Sequence, residues 1–278
     1  MTLAEALRQS RRLSHSDSAK TDVELLLMEV LACSRSHLYT WPDQVLTQDQ
    51  RAQFEAWMER RAAGEPIAHI IGKRGFWTLE LEVSPATLIP RPDTELLVEL
   101  ALELLARDRS EPKILDLGTG TGAIALALAR ELPHSRVLAT DLLPEVVALA
   151  ERNRVKHQLD NADIRQSDWW QAVTGRFDLI LSNPPYIEEG DMHLNQGDLR
   201  YEPRSALVAD EAGLADLRRI IQGAPAHLAS GGWLLLEHGW QQAEAVRRLL
   251  SDGGFSGVFS RRDYGGHERV SGGQWLGN

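Results

Sequence analysis

Four consecutive residues near the middle of the chain combine hydrogen-bond acceptors with an aromatic ring: Asn183, Pro184, Pro185 and Tyr186. They directly follow the apolar run 179–182, which predicts the end of a buried strand. The prolines fix φ and lack N–H donors, so carbonyl oxygens remain available, and Asn183 adds a side-chain oxygen. Acceptors beside a flat ring suit a planar group that carries an NH2. The four residues therefore predict a substrate site for an amide or amino nitrogen.

The chemistry predicted at this site is nucleophilic attack by a delocalised nitrogen. Such a nitrogen is a poor nucleophile because its lone pair is shared with the neighbouring π-system. If Asn183 and the Pro184 carbonyl each accept one N–H, they aim the lone pair and stabilise the positive charge that develops during attack. Tyr186 would pack on the planar group. We therefore predict catalytic roles for Asn183, Pro184 and Tyr186; a rigid Pro-Pro turn without chemistry is the alternative interpretation.

A second pattern, residues 114–122, predicts a nucleoside-binding turn. The strand-like run 114–117 leads into five small residues, and a predicted helix follows; the five are Gly118, Thr119, Gly120, Thr121 and Gly122. Glycines let the backbone turn sharply and approach a ligand closely. Asp141 lies 23 residues after Gly118, at the predicted end of the next strand, where a carboxylate binds ribose hydroxyls. The spacing up to Ala123 also fits a dinucleotide site, so a nicotinamide cofactor remains an alternative at this point.

The elements that must position these residues alternate between strand and helix from about Thr94 onward. This alternation predicts an α/β fold with a doubly wound, mainly parallel sheet. The site at 183–186 follows the fourth strand, near the expected reversal of strand order. Strands are predicted at 113–117, 137–141, 163–166, 177–182, 233–237, 255–260 and 269–275, and helices at 122–131, 144–154, 214–228 and 241–250. The polar stretch 188–210 shows no period and is predicted to be a functional loop.

The first 88 residues follow different patterns. Capping signals at Thr21 to Glu24 and Thr47 to Gln50, together with helical periodicity, predict a helical bundle over residues 1–70. Alternating apolar and polar residues around 77–83 predict a β-hairpin linker at 71–88. Residues 89–278 then form the predicted catalytic domain.

Composition makes several functional classes less favoured. The net charge of −10 argues against a polyanionic partner, because nucleic-acid binders usually present a basic face. A single cysteine and the absence of clustered histidine or cysteine motifs favour a reducing, cytoplasmic setting without a metal site. No apolar run is long enough to cross a bilayer.

Several motifs together resemble one enzyme family. Asn-Pro-Pro-Tyr at 183–186, with Asp-x-Gly-x-Gly-x-Gly upstream, is similar to the signature of amino methyltransferases. Residues 88–95, 64–69 and 263–265 resemble the branch of protein-(glutamine-N5) methyltransferases known as PrmC or HemK. The resemblance covers nearly the whole chain, and we see no departure at the motif positions.

This resemblance implies an S-adenosylmethionine-dependent enzyme that methylates the glutamine in the Gly-Gly-Gln motif of class I peptide chain release factors and so modulates translation termination. It further implies a seven-stranded Rossmann-like catalytic domain, a substrate-recognising helical domain, and a monomer. Asp168 and Trp169 would line the adenine pocket, with Asn183 also near the cofactor. A DNA or RNA amino methyltransferase, acting on adenine N6 or guanine N2, is the main alternative. The chain's own Gly272-Gly273-Gln274 is interpreted as coincidence.

Overall fold

The computed structural model describes residues 1–14, 16–105 and 110–277. It divides into two compact units. The first comprises Met1–Lys73 together with Asn195–Tyr201, and the second comprises Arg74–Leu194 together with Glu202–Asn278.

The first unit is built from helices around its own apolar core. Val23, Leu26 and Leu27 on one helix pack with Phe54 and Met58 on another, and all five are fully buried. The helices are α1 (Leu3–Leu7), α2 (Ala19–Leu31), α3 (Arg35–Thr40), α4 (Gln48–Ala62) and α5 (Ile67–Ile71).

One of the two predicted capping signals is correct. Thr47 and Gln50 satisfy each other's backbone amides at the start of α4, and the helix stops at Ala62, before Gly64. The signal at Thr21 is wrong, because α2 already begins at Ala19. Glu24 instead points into the unit, where it forms an ion pair with Arg35 at 2.7 Å.

The predicted hairpin is present as β1 (Lys73–Phe76) and β2 (Leu79–Glu82), which form a two-stranded sheet. Leu79 and Leu81 are buried while Glu80 is exposed, as the alternation predicted. The fully buried Asn153 holds β2: its Oδ1 accepts from the Glu82 amide at 2.7 Å, and its Nδ2 donates to the Glu82 carbonyl at 3.0 Å. The hairpin is thereby fixed to the second unit.

The second unit contains the predicted seven-stranded sheet, with strand order β5-β4-β3-β6-β7-β9-β8. β3 pairs with both β4 and β6, so the order reverses between β3 and β6, and a crevice opens at the carboxyl ends of these strands. β9 is antiparallel to β7 and β8. The strands are β3 (Lys113–Leu117), β4 (Arg136–Asp141), β5 (Ala162–Gln166), β6 (Phe177–Ser182), β7 (Leu228–Glu237), β8 (Ser256–Arg262) and β9 (Glu268–Trp275).

The helices of this unit lie within a few residues of their predicted bounds. They are α7 (Ala123–Glu131), α8 (Pro144–Lys156), α10 (Ala215–His227) and α11 (Ala243–Asp252), preceded by α6 (Glu95–Leu105) and the short turn α9 (Asp210–Gly213). Two apolar clusters cover the sheet. The helix α6 was missing from the predicted set. Its first-turn carboxylate, Glu95, accepts the Trp77 amide of the hairpin at 2.8 Å.

The stretch 188–210 is not structureless. It contains short 3₁₀ turns at Met192–Asn195, Gly197–Tyr201 and Arg204–Ala206, and a parallel bridge joins Ile187 to Val208. Its central segment, Asn195–Tyr201, belongs to the first unit. Short 3₁₀ turns carry no sustained periodicity, which is why the sequence showed none.

The Gly-Gly-Gln near the carboxyl end lies inside the paired strand β9. A Cβ at Gly272 would come within 2.6 Å of the Leu235 side chain, and one at Gly273 within 2.8 Å of Phe255. These glycines therefore allow close packing of the sheet, which supports a structural interpretation of this motif.

Among the described residues, no helix is both long and apolar enough to cross a membrane.

Candidate active site

A cavity of about 260 Å³ opens at the carboxyl ends of the central strands of the second unit. Its size is near the lower end of small-molecule sites, roughly 300–1,000 Å³. Residues from several separate segments of the chain line it, including Pro90, Arg91, Thr94, Gly118, Thr119, Gly120, Thr121, Asp141, Asp168, Trp169, Asn183, Pro185 and Asp216.

The glycine turn after β3 forms one wall of the cavity. Gly118 and Gly120 have φ of +71° and +57°, a left-handed conformation that costs other residues about 1–2 kcal/mol. The Thr119 amide donates to the Thr140 carbonyl at 2.9 Å, which fixes the turn to β4. No heavy atom lies within 4 Å of a Cβ built on Gly120, so the space beside it is open among the described residues.

Asp116, at the base of the turn, is fully buried. Its Oδ2 accepts from the Thr119 hydroxyl at 2.6 Å and from the Ala125 amide at 3.3 Å, while its Oδ1 has no hydrogen-bond partner among the described residues. Burial raises the pKa of Asp116 to about 7, against these hydrogen bonds. Asp116 thus holds the shape of the turn from beneath.

Asp141 lies at the end of β4, on the opposite side of the turn. Its Oδ2 accepts from the Gly120 amide at 3.0 Å and its Oδ1 from the Leu143 amide at 3.3 Å. Burial raises its pKa, and the two amides lower it. The Asp141 carboxylate also lines the cavity, where the sequence predicted a carboxylate that binds ribose hydroxyls.

Asp168 and Trp169 also line the cavity. The Trp169 backbone has φ +47°, and its carbonyl accepts from the Ser167 hydroxyl at 2.7 Å. Its ring lies 3.7 Å from the position of a Cβ on Gly118, so the ring packs against the glycine turn. The Asp168 carboxylate pairs with Arg219 at 3.0 Å. Trp169 therefore offers a flat apolar surface, whereas Asp168 already has a cationic partner.

Asn183 follows β6 directly, and its side chain is fixed in orientation. The Nδ2 atom donates to the Thr94 hydroxyl oxygen at 3.2 Å. Among the described residues, no donor reaches the Asn183 Oδ1, so that oxygen remains available as an acceptor. This is the hydrogen-bonding state that the predicted chemistry requires.

The Tyr186 ring is partly buried, and its hydroxyl donates to Glu237 Oε1 at 3.4 Å. Burial and the nearby Glu237 carboxylate raise the pKa of Tyr186, so the phenol is neutral and acts as a donor. The Tyr186 carbonyl accepts from Gln242 Nε2 at 3.0 Å, and the same amide group donates to the Ala212 carbonyl at 3.0 Å. Gln242 thus ties the end of the 183–186 segment to the turn that precedes α10.

Among the described residues that line the cavity, Arg91 is the one with a cationic side chain. It pairs with the Glu202 carboxylate, whose other oxygen accepts the Ile89 amide at 2.8 Å. The ion pair and the second hydrogen bond of Glu202 therefore hold Arg91 in one orientation.

Not every predicted site residue reaches the cavity. Pro184 and Tyr186 are absent from the described lining, although both neighbour Asn183 and Pro185, which are present. Gly122 also lies outside it: a Cβ there would approach Leu126 to 2.9 Å, so this glycine serves helix packing. The described residues contain no cluster of three or more His, Cys, Asp or Glu side chains that would hold a metal ion.

Sequence reasoning missed three residues that hold the site together: Glu237, Gln242 and the hydroxyl of Thr94. Glu237 had a recognisable signal, since it ends a predicted strand in the same way as Asp141. Thr94 lies within the motif 88–95, which carries part of the family resemblance, but the sequence indicated no role for Thr94 itself. Gln242 lay at the start of a predicted helix and gave no signal of its own.

Comparison with known proteins identifies the family. The release factor glutamine methyltransferase of Pseudomonas aeruginosa is 53% identical over 276 residues, covering 99% of each chain. The chain belongs to the release factor glutamine methyltransferase family. The enzyme of that name from Escherichia coli K12 is 51% identical over 275 residues, covering 98% of this chain and 97% of its own.

Two domain families match separate parts of the chain: the PrmC N-terminal domain at residues 5–72 and the Methyltransferase small domain at 93–198. A methyltransferase from Pyrococcus furiosus shares the fold, with a TM-score of 0.54 at 20% identity over 84% of this chain and 100% of its own. Membership of a methyltransferase family confirms the predicted enzyme class and decides against a nicotinamide oxidoreductase.

Proposed function

We propose that this enzyme transfers a methyl group from S-adenosylmethionine to the side-chain amide nitrogen of the glutamine in the Gly-Gly-Gln motif of class I release factors. The observation that carries the proposal is the orientation of Asn183, whose amide nitrogen is bound to Thr94 and whose oxygen is left for a substrate N–H. Relatives that carry the name release factor glutamine methyltransferase over 97–99% of their length support this substrate.

The cavity fits a nucleoside-containing methyl donor. Asp141 would accept hydrogen bonds from the ribose hydroxyls, and the open space beside Gly120 leaves room for close approach of a ligand to the backbone. The Trp169 ring supplies a flat surface suited to adenine. When bound, S-adenosylmethionine supplies an electrophilic methyl group on a sulfonium.

The chain's own residues would prepare the nucleophile. Asn183 Oδ1 accepts one N–H of the substrate amide, and the Pro184 carbonyl accepts the other. With both N–H groups held, the nitrogen lone pair is aimed along one direction and its delocalisation into the amide is opposed. The same two oxygens face the positive charge that grows on nitrogen as the bond to the methyl group forms, so they bind the transition state better than the ground state.

No general base is assigned to this reaction. As the nitrogen–methyl bond forms and the methyl–sulfur bond breaks, the amide nitrogen becomes cationic. Its proton is strongly acidic only at that stage and would pass to water. Tyr186 is a neutral phenol that donates to Glu237, and Asn183 does not titrate. The partly buried Tyr186 ring would act by fixing the 183–186 segment and by bordering the planar amide.

A division of labour between domains is part of the proposal. The helical region 1–70 would recognise the release factor, the hairpin 71–88 would link it, and residues 89–278 would carry the chemistry. The match of residues 5–72 to the PrmC N-terminal domain supports a separate module. A monomer, a cytoplasmic location and the lack of a nucleic-acid partner stay predictions from sequence.

The proposal is tested by incubating the enzyme with labelled S-adenosylmethionine and a purified class I release factor. We expect label in the factor, and no label when the Gln of its Gly-Gly-Gln motif is replaced by Ala. Labelled nucleic acid from a cell extract, with an unlabelled release factor, would instead favour the DNA or RNA alternative.

A further inference from the structure

Glu237 is a buried carboxyl group that the proposed chemistry does not use directly. It ends β7, and 2% of the residue is exposed to solvent. Ser182 of β6 lies opposite Leu236 of β7 in the parallel register, so the next residues, Asn183 after β6 and Glu237 at the end of β7, lie side by side. Glu237 is also paired with Val270 of β9. The fold thus places a carboxylate behind the predicted catalytic amide.

Two hydroxyl groups approach this carboxyl. Tyr186 donates to its Oε1 at 3.4 Å. Burial raises the pKa of Glu237 to about 7, and the Asp93 carboxylate also raises it. Hydrogen bonds from Thr94 and Tyr186 lower this pKa, as does the Arg269 cation. The Thr94 oxygen in turn accepts from Asn183 Nδ2 at 3.2 Å. Glu237 is therefore linked to Asn183 through one hydroxyl.

The direction of this link follows from the chemistry of a hydroxyl group. A threonine hydroxyl has one hydrogen and two acceptor lone pairs. When its hydrogen points to an accepting oxygen of the Glu237 carboxyl, which both the ionised and the neutral form provide, the side that faces Asn183 presents lone pairs. The amide of Asn183 must then turn its NH2 toward Thr94 and its oxygen away. The orientation of the amide thus depends on an acceptor behind the threonine.

We propose that Glu237 is a positioning residue, which acts through Thr94 to hold the Asn183 amide with its oxygen toward the substrate and through Tyr186 to fix the end of the same segment. This inference rests on the proposed function, because it explains how the acceptor for the substrate N–H is set. Glu237 itself does not touch the reacting atoms.

The cost of keeping this carboxyl supports a functional role. Its Oε2 is buried and has no hydrogen-bond partner among the described residues. A buried polar atom without a partner destabilises a protein by roughly 1–3 kcal/mol, and a charge by more. The nearby Arg269 cation is partly neutralised by a different carboxylate, because its Nε donates to Asp263 at 3.1 Å. A residue chosen for stability alone would be apolar at this position.

The first experiment compares Thr94→Val with Thr94→Ser. Valine keeps the shape of threonine but removes the hydroxyl, whereas serine keeps it. With a class I release factor as substrate, we expect Thr94→Val to lower kcat by about tenfold or more and Thr94→Ser to stay within about threefold of wild type. The KM for S-adenosylmethionine should change less than about twofold in both. Equal kcat for wild type and Thr94→Val would overturn the proposal.

The second experiment tests whether Glu237 acts through Thr94. Glu237→Gln keeps the size of the side chain but replaces one acceptor oxygen by an NH2 donor, so kcat should fall by about tenfold or more. Because both residues serve one link, the double variant Thr94→Val/Glu237→Gln should be no more than about threefold slower than the slower single variant. Multiplied losses would show independent roles and overturn the inference.

A readout without catalysis separates this inference from the proposed function. The side-chain amide signal of Asn183, assigned by its loss in Asn183→Asp, can be followed by ¹⁵N NMR in the ligand-free enzyme. We expect slow hydrogen exchange of this NH2 in wild type and faster exchange in Glu237→Gln and Thr94→Val. Unchanged exchange in both would overturn the positioning role, whatever the substrate. A wild-type enzyme that leaves release factors unmethylated would reject the proposed function and leave this test intact.

Discussion

The Asn183 side-chain nitrogen donates to the Thr94 hydroxyl oxygen at 3.2 Å, across 89 residues of sequence. This contact joins the segment after β6 to the start of α6 and turns the NH2 end of the Asn183 amide toward Thr94. An asparagine that is free to rotate would present its NH2 and its oxygen equally. The site therefore depends on a long-range contact as much as on the four-residue motif that contains Asn183.

Replacing Asn183 by Ala should lower kcat on a release factor by on the order of 100-fold, because it removes the acceptor that aims the nucleophile. Binding of S-adenosylmethionine, measured by calorimetry, should stay within about threefold. The melting temperature should change little, since among the described residues the Asn183 side chain bonds to Thr94 alone. Wild-type turnover in this variant would refute the amide-orienting mechanism.

Replacing Asp141 by Ala should weaken S-adenosylmethionine by about 1–3 kcal/mol through loss of charged hydrogen bonds to ribose. Part of this loss would come from the glycine turn, because Asp141 also accepts the Gly120 amide. Asp163→Ala is a suitable control, since this exposed carboxylate pairs with Arg165 at the surface of β5. Calorimetry that gives equal dissociation constants for Asp141→Ala and wild type would reject the ribose role.

Replacing Gly213 by Ala should impair both stability and turnover. Gly213 has φ +79°, and a Cβ there would lie 2.0 Å from the Tyr186 carbonyl oxygen and 2.6 Å from Gln242 Nε2. The segment that contains Asn183 must then move, so kcat should fall by about tenfold or more.

Gly175→Ala provides the matched control for Gly213→Ala. Gly175 has a similar φ of +88°, with no described atom within 4 Å of its Cβ position. The free energy of unfolding of Gly175→Ala should fall by about 1–2 kcal/mol because of backbone strain alone, and the kcat of this variant should be unchanged. Similar kcat values for the two variants would show that the contact with Tyr186 does not position the site.

The pH dependence of stability should report the two buried carboxyls. Asp116 and Glu237 have pKa values near 7 in the folded chain, raised by burial from 3.8 and 4.5. Between about pH 5 and 8 the folded state thus holds protons that the unfolded state has lost, so the free energy of unfolding should fall as pH rises.

Urea titrations of the ligand-free enzyme at several pH values measure this slope. Asp116→Asn and Glu237→Gln remove one titrating group each, and each should flatten the decline relative to wild type. The comparison with wild type also separates the effect of His238, whose pKa burial lowers and whose protonation destabilises the fold at acid pH. If the free energy of unfolding declines with the same slope in wild type and both variants, these two carboxyls are not the groups that cause the decline.

The sequence predicted those parts of the site that arise from local structure. The glycine turn and Asp141 each follow a strand directly, and a strand with its turn and helix is recognisable within some 30 residues. The sheet was predictable for the same reason, since alternating strands and helices with right-handed connections leave few arrangements. Asn183 and Pro185 reach the cavity because β6 lies beside β3 at the reversal of strand order.

The contacts that complete the site were not predictable from local patterns. Tyr186 meets Glu237 across 51 residues and Gln242 across 56, so neither pairing leaves a periodic signal. Tyr186 was expected beside the substrate, and its place there stays a prediction; the structure shows its hydroxyl on Glu237. Gly122 was assigned to the cofactor because it continued the glycine pattern, yet its φ of +86° and its contact with Leu126 serve the start of α7.

We propose that Asn183 presents its oxygen to the amide of a release-factor glutamine. Tandem mass spectrometry of a class I release factor, incubated with S-adenosylmethionine and either wild-type enzyme or Asn183→Ala, tests it most directly. We predict one added methyl group on the glutamine of Gly-Gly-Gln with wild type and almost none with the variant in the same time. Methylation at another residue, or equal methylation by both enzymes, would contradict the account.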